Sequence, residues 1–430
     1  MRPTITDPVA RMRALVLHPL RHGAAARDPA GALAEAVALT EALDLEVVGA
    51  ELVPLPKARA GTLVGSGKLE EIGATVAERE AGLVIVDGPL TPVQQRNLEK
   101  AWNAKVLDRT GLILEIFGDR ARTREGVLQV ELAHLSYQKS RLVRSWTHLE
   151  RQRGGHGFLG GPGETQIEAD RRAIDERITR IKAQLAKVVR TRGQHRAARR
   201  RLDYPVVALV GYTNAGKSTL FNRLTGSAVL AKDMLFATLD PTMRAIDLPD
   251  GRRAILSDTV GFISDLPHQL VAAFRATLEE VLDADLILHI RDISHEESEA
   301  QAASVRTTLD ELGLSEAERE RMIEVWNKVD ALPEGRVEPT RQIAARNPRV
   351  RVISALTGEG VPDLLEVVAE ELAGPTSEAV LRLGFDQGRR RAWLFDHRLV
   401  RAERRTEEGY EVEVRWTERD RDRYAALDTE

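Results

Sequence analysis

The chain has 430 residues, 43% of them hydrophobic, no cysteine and a formal net charge of −4. That length exceeds one ordinary domain and points to two to four, and the missing cysteines exclude disulfides, thiolate chemistry and Cys-based metal sites. No run of roughly 18 apolar residues occurs, and Met1 to Leu20 has neither an apolar core nor a small-residue cleavage site, so the expectation is a cytoplasmic chain without a membrane span, at most associated with a membrane surface, and monomeric when free.

In chain order, residues 1–118 alternate strands and helices. Arg13–Leu17 and Glu46–Val53 read as strands, with Ala30–Leu43 helical between them. Leu83–Asp87 is an apolar run stopped by Gly88-Pro89, and Thr91-Pro92 opens a helix to Trp102 with Thr91 as its cap. This is the pattern of a small parallel α/β domain. The cluster Gly65-Ser-Gly-Lys68 lacks the hydroxyl and the upstream spacing of a phosphate-binding loop, and reads as an ordinary loop.

Residues 119–203 carry two heptad series. Leu128, Leu135, Leu142 and Leu149 are seven apart, with Leu132 and Trp146 between them and Lys139 interrupting. Ile167, Ile174, Ile181 and Val188 repeat the period, with Ile178 and Leu185 between. A 4-3 spacing makes one apolar seam on a helix. Six glycines and Pro162 between residues 154 and 163 forbid a continuous helix, so an antiparallel hairpin with a glycine-rich tip is expected. From Arg120 to Arg201 there are 20 Lys and Arg against 8 Asp and Glu, a local excess of positive charge that suits either a polyanion such as nucleic acid or simply a solvated helical face. The tip candidates for that contact are Arg153, Gly154, Gly155, His156, Gly157 and Phe158. The competing reading is a bundle packed on a neighbour, with the tip as linker.

Residues 204–374 alternate strand and helix again, and 375–430 contain strand-like Ala379–Gly384, helix-like Arg389–His397 and an alternating strand Tyr410–Trp416. The expected fold class is therefore multidomain α/β: an N-terminal parallel α/β domain, a basic helical hairpin, a P-loop nucleotide domain and a small C-terminal α+β domain.

The chemistry concentrates in the third part. Val206–Val210 is an apolar strand running into Gly211-Tyr212-Thr213-Asn214-Ala215-Gly216-Lys217-Ser218, and Thr219 continues as helix. This matches G-x-x-x-x-G-K-[ST] in the required strand-loop-helix setting. Backbone N–H groups at the helix start wrap phosphates, Lys217 supplies a point charge, and the Ser218 hydroxyl suits Mg²⁺. Asp258-Thr259-Val260-Gly261 follows a strand. The acid can hold Mg²⁺ through water, and the Gly261 amide can meet a γ-phosphate. Asn327-Lys328-Val329-Asp330 follows another strand, and the Asp330 carboxylate can accept from guanine N1–H and N2–H₂, a donor pair adenine lacks. Ser354-Ala355-Leu356 can put an amide on guanine O6. Four such segments in this order imply a GTP/GDP site with hydrolysis. Phe236-Ala237-Thr238-Leu239-Asp240 is the expected first switch loop, with Thr238 completing the Mg²⁺ shell and Thr242 as second choice. Phe262 stands where many GTPases carry the water-orienting glutamine, so slow intrinsic turnover and a stimulating partner are expected.

Together with Gly65–Glu71, Leu90–Glu99, Asp108–Phe117, Leu128–Leu132, Gly161–Glu168 and Phe236–Asp240, these motifs resemble the HflX family of translational GTPases over nearly the whole chain. The resemblance implies a GTPase that binds the large ribosomal subunit and its rRNA, some members splitting idle or stalled ribosomes under stress, with the glycine-rich tip reaching toward the peptidyl-transferase centre. The tip here reads Arg151-Gln-Arg-Gly-Gly-His-Gly157, a departure from the family's R-Q-G-G-G-I-G-like stretch. Likeness to potassium-stimulated GTPases makes Asn214 the candidate K⁺ ligand. The alternative function is a signalling switch whose hairpin recruits a protein effector. Co-sedimentation with large subunits separates the two.

Overall fold

The computed structural model describes residues 11–21, 28–152, 162–202, 204–226, 236, 242–264, 281–374, 376–397, 399–417, 420–421, 424–425 and 427. It has the multidomain α/β architecture that the strand-helix alternation implies, built on three separate sheets.

The first sheet is wholly parallel. It contains β1 (Arg13–Arg21), β2 (Glu46–Leu55), β3 (Leu83–Val86) and β4 (Lys105–Asp108), in the order β2-β1-β3-β4. Four helices serve it: α1 (Pro29–Glu41), α2 (Ser66–Glu78), α3 (Pro92–Trp102) and α4 (Arg109–Arg120). Thr91 caps α3 as its sequence required, in a reciprocal box with Gln94. The Gly65–Lys68 cluster is not a loop. Gly65 is the N-cap residue of α2, and Lys68 pairs with Glu71 and Glu51. Leu69 and Ile72 continue a helical apolar period there, and that outweighs the two glycines.

Two long helices follow, α5 (Arg124–Gln152) and α6 (Pro162–Leu202). Leu128, Leu135 and Ile181 are buried at their shared seam, flanked by Leu132, Ile174, Ile178 and Leu185, as the heptads dictate. Contacts from Glu131 to Arg177 and from Lys139 to Asp175 make the pair antiparallel. Lys139, the misfit in the heptad, therefore finds a carboxylate on the opposite helix. Asp108 fixes the hairpin to the first sheet. It caps α4 through the Gly111 amide at 2.8 Å and accepts from Tyr137 at 2.6 Å and from Arg141, both on α5. The tip, residues 153–161, lies outside the described residues.

The second sheet has the order β10-β9-β8-β5-β7-β6, with β5 (Val206–Gly211), β6 (Thr242–Asp247), β7 (Arg253–Asp258), β8 (Leu286–Asp292), β9 (Ile323–Asn327) and β10 (Val350–Val352). Only β6 runs antiparallel, as a hairpin with β7. Central strands bear side chains on two covered faces, and Val207, Leu209 and Val210 of β5 are accordingly fully buried. The first two sheets share one apolar cluster, in which Phe117 of α4 meets Phe236 edge-on at 4.7 Å between ring centroids. The third sheet, β11 (Thr376–Gly384), β13 (Gly409–Thr417) and β12 (Val400–Arg405), is antiparallel, in that order, and packs on a short helix over Gly388–Asp396. Strand β12 reads Val-Arg-Ala-Glu-Arg-Arg, with nearly every side chain exposed, so no apolar alternation marks it. Charge on an edge strand discourages pairing with other chains. Among the described residues no helix is long and apolar enough to cross a membrane.

Candidate nucleotide site

Four motif segments, those at Gly211, Asp258, Asn327 and Ser354, sit at the C-terminal ends of strands in the second sheet. Gly211–Ser218 leaves β5, and helix α7 (Lys217–Thr225) begins inside it. Gly216 has φ +94°, and a Cβ there would lie 2.1 Å from Asn327 Nδ2, so only glycine fits. Asp258 ends β7, Asn327 ends β9, and Ser354 follows β10. Parallel strands of different length in sequence thus deliver four distant segments to one edge, the edge where open α/β sheets hold ligands.

Asn327 ties two of them together. Its amide donates to the Ala215 carbonyl at 2.8 Å and its oxygen accepts from the Ala355 amide at 2.8 Å. Lys328 is left-handed at φ 66° and pairs with Asp292 at 2.8 Å. Val329 is buried, while Asp330 projects to solvent from a single 3-10 turn. Arg223 of α7 donates to the carbonyls of Ala355 and Leu356, and the Thr357 amide donates to Ser354 Oγ, which shapes the Ser354–Leu356 turn. Leu356 is 69% exposed, an apolar side chain left facing the solvent beside Asp330's segment.

At the phosphate-loop end, Ser218 Oγ donates to Asp258 Oδ2 at 2.8 Å. Lys217 Nζ is buried and donates to the carbonyls of Gly211 at 3.1 Å and Tyr212 at 2.8 Å. Burial pulls this lysine down to about 8, and the Asp258 charge only partly opposes the shift. Thr259 Oγ1 donates to the Leu209 carbonyl, and Val260 is buried. Gly261 packs so close that an added Cβ would meet Thr213 Cγ2 at 2.9 Å and Lys217 Nζ at 3.1 Å. Phe262 is buried and bridges the phosphate loop: the Thr213 amide donates to its carbonyl at 2.7 Å, and its amide donates to the Gly211 carbonyl at 3.0 Å. Asn214 is exposed, with φ 59°, and Thr219 continues α7.

Profiles of known families match in succession along this chain. One described as GTP-binding GTPase N-terminal matches residues 30–118, and one described as GTP-binding GTPase Middle Region matches 120–199. One described as 50S ribosome-binding GTPase matches 206–328, and one described as HflX C-terminal domain matches 340–426. A GTPase HflX of Magnetococcus marinus is 58% identical over 350 residues, covering 81% of this chain and 79% of that protein. The chain belongs to the HflX family of GTPases. The GTPase HflX of Escherichia coli is 47% identical over 370 residues, 86% of this chain and 84% of its own length. That of Chlamydia pneumoniae is 42% identical over 386 residues, 89% and 81% respectively. This HflX-family chain is accordingly a GTP-binding enzyme that hydrolyses GTP.

The sequence-derived site residues divide three ways. Gly211 through Thr219, Asp258 through Gly261, Asn327 through Asp330 and Ser354 through Leu356 converge on one sheet edge. Phe236 turns its ring into the shared core against Phe117 and contributes no side chain to that edge. Ala237, Thr238, Leu239 and Asp240, and tip residues Arg153 through Phe158, lie outside the described residues. Sequence reasoning missed Arg223 and Asp292, which brace the site from neighbouring elements. It also missed Ser264 and Glu35, which meet Tyr212 across the boundary between the first two sheets, and Arg109, which donates to both of them. No local motif marks such long-range partners. The only signal was a tyrosine inside a phosphate loop, where a buried hydroxyl demands a partner.

Proposed function

We propose that this chain is a ribosome-associated GTPase that docks on the large subunit and uses GTP hydrolysis to remodel or split ribosomes. The observation that carries this reading is the match of the nucleotide segment to the profile described as 50S ribosome-binding GTPase. The antiparallel hairpin supports it: two long helices in a segment of 20 basic against 8 acidic residues extend from the first sheet and suit an rRNA target.

In the proposed site, the loop from Gly211 to Ser218 holds the phosphates through its amides, and Lys217 supplies charge to the β- and γ-phosphates. Asp330 accepts from the guanine edge, the Ser354–Leu356 turn puts a backbone amide on O6, and exposed Leu356 lies against the base. Ser218 Oγ and Asp258, 2.8 Å apart beside Lys217, form a hard-oxygen donor pair that fits Mg²⁺. When bound, that ion neutralises charge on the β- and γ-phosphate oxygens. Thr238 would complete the set when a γ-phosphate is present, and Asn214 would hold K⁺ beside the phosphates. The Gly261 amide meets the γ-phosphate. Phe262 offers the attacking water nothing, so the isolated protein turns over slowly and the ribosome supplies what is missing.

Sucrose-gradient sedimentation with a non-hydrolysable GTP analogue tests the reading. Co-migration with large subunits is expected. Failure to co-migrate at low salt, with nucleotide binding intact, would transfer support to the effector-recruiting switch.

A further inference from the structure

In an open parallel sheet, ligands occupy the crevice at the C-terminal ends of the two strands where the winding reverses. In the first sheet that crevice lies between β1 and β3, and it is filled by the protein itself. Arg109, at the end of β4, is buried there. Its Nη1 donates to Asp87 Oδ1 at 2.6 Å, and the other Asp87 oxygen is 2.7 Å from His18 Nδ1. Burial alone would raise the Asp87 carboxyl, but the His18 hydrogen bond and the Arg109 charge hold it below the usual carboxylate range.

Arg109 Nη2 reaches further. It donates to Glu35 and, at 2.9 Å, to the backbone carbonyl of Ser264, three residues past Gly261. The Ser264 amide donates at 2.8 Å to the Tyr212 hydroxyl, and that hydroxyl donates to Glu35. Tyr212 belongs to the phosphate loop, and its carbonyl takes the Lys217 ammonium. A closed circuit therefore runs from the N-terminal sheet through Ser264 and Tyr212 to Lys217.

We propose that Glu35 and Arg109 are positioning residues for GTP hydrolysis, acting through Tyr212 and Ser264 on the segment from Asp258 to Ser264. The inference rests on the assignment of that segment to the γ-phosphate. With Phe262 apolar and buried, the polar groups this segment can offer to the reaction are mainly backbone groups, so the rate depends on where the backbone stands. One end is fixed by β7 and the bond from Thr259 to Leu209. The other is fixed by Arg109 and Tyr212. Circuits of this kind keep a narrow geometry because each broken bond strands a buried polar group.

The test compares full-length Tyr212→Phe, Glu35→Gln, Arg109→Gln and the Tyr212→Phe/Glu35→Gln double variant in single-turnover GTP hydrolysis, with GDP affinity and Tm measured alongside. Each single variant is expected to lose roughly tenfold in rate, since displacements of about 1 Å carry up to ~100-fold costs. GDP affinity should stay within about twofold, and the double variant should lose less than the product of the two single losses, because both break the Tyr212–Glu35 bond. Arg109→Lys, which keeps a buried cation, should recover part of the Arg109→Gln loss. The proposal is overturned if Tm falls while the rate stays at wild type, if the rate rises, or if the two losses multiply. If Arg109→Gln does not fold, Tyr212→Phe decides, because it keeps the buried ring. Lys217→Ala in the same assay separates the two levels. Wild-type turnover there would remove the site assignment itself, whereas wild-type turnover in the circuit variants alone removes only this inference.

Discussion

Burial lowers Lys217 from 10.5 to about 8, against the opposing charge of Asp258. Because the folded pKa is depressed, the unfolded chain binds more protons between about pH 8 and 10.5, and folding stability rises with pH across that window. Phosphate reverses the preference, since it binds the charged form. GDP binding should therefore take up a proton near pH 8, and affinity should fall as pH rises through that value. Calorimetry in two buffers of different ionisation enthalpy checks the uptake, and equal apparent enthalpies would contradict it. Lys217→Ala should abolish GTP binding or hydrolysis while leaving the fold intact, a loss of several kcal/mol of transition-state stabilisation. Asp330 makes a separate prediction. Asp330→Asn should weaken GTP strongly and improve xanthosine triphosphate relative to GTP, because an amide pairs with the xanthine carbonyl. Competition binding with both nucleotides reads the switch, and an unchanged preference would remove Asp330 from base recognition.

Among the elements, the junction of α4 and α5 hangs on Asp108. Its carboxylate caps one helix and takes Tyr137 and Arg141 from the next, and Arg141 is mostly buried. Asp108→Ala should cost about 3 kcal/mol or more, combining a lost cap with a stranded guanidinium. Urea denaturation measures the cost, and hydrogen exchange should rise first in the N-terminal half of α5. The elements that were legible in the sequence share a physical cause. Heptad leucines and isoleucines announced the hairpin because a seam needs them at fixed spacing, and Thr91-Pro92 announced α3 because a cap satisfies local N–H groups. Strand β12 and the start of α2 were not legible. The first is an edge strand whose exposed charges erase the alternation, and the second is a helix whose opening glycines look like a loop. The segments from Gly211, Asp258, Asn327 and Ser354 were legible as a set because tight backbone approach leaves little choice of residue, as at Gly216 beside Asn327. The Glu35–Tyr212–Ser264–Arg109 circuit was not, since its members are brought together only by packing.

At the scale of the molecule, one basic hairpin is mounted on the N-terminal sheet, and that sheet is in turn packed through a shared apolar core on the nucleotide-binding sheet. A contact made by the hairpin is therefore continuous with the segments around Gly261. Affinity for large subunits should fall steeply with salt, because each arginine–phosphate contact releases counterions. A flat dependence between low and moderate salt would argue against rRNA as the target. Deleting residues 154–163 and closing the gap with a short turn should leave GTP binding normal and remove ribosome remodelling. The central claim is that this slow GTPase is completed by the ribosome, and the most direct measurement is its GTP turnover with and without purified large subunits. The account predicts slow turnover alone and a clear rise on adding subunits. An unchanged rate at saturating subunits would contradict it.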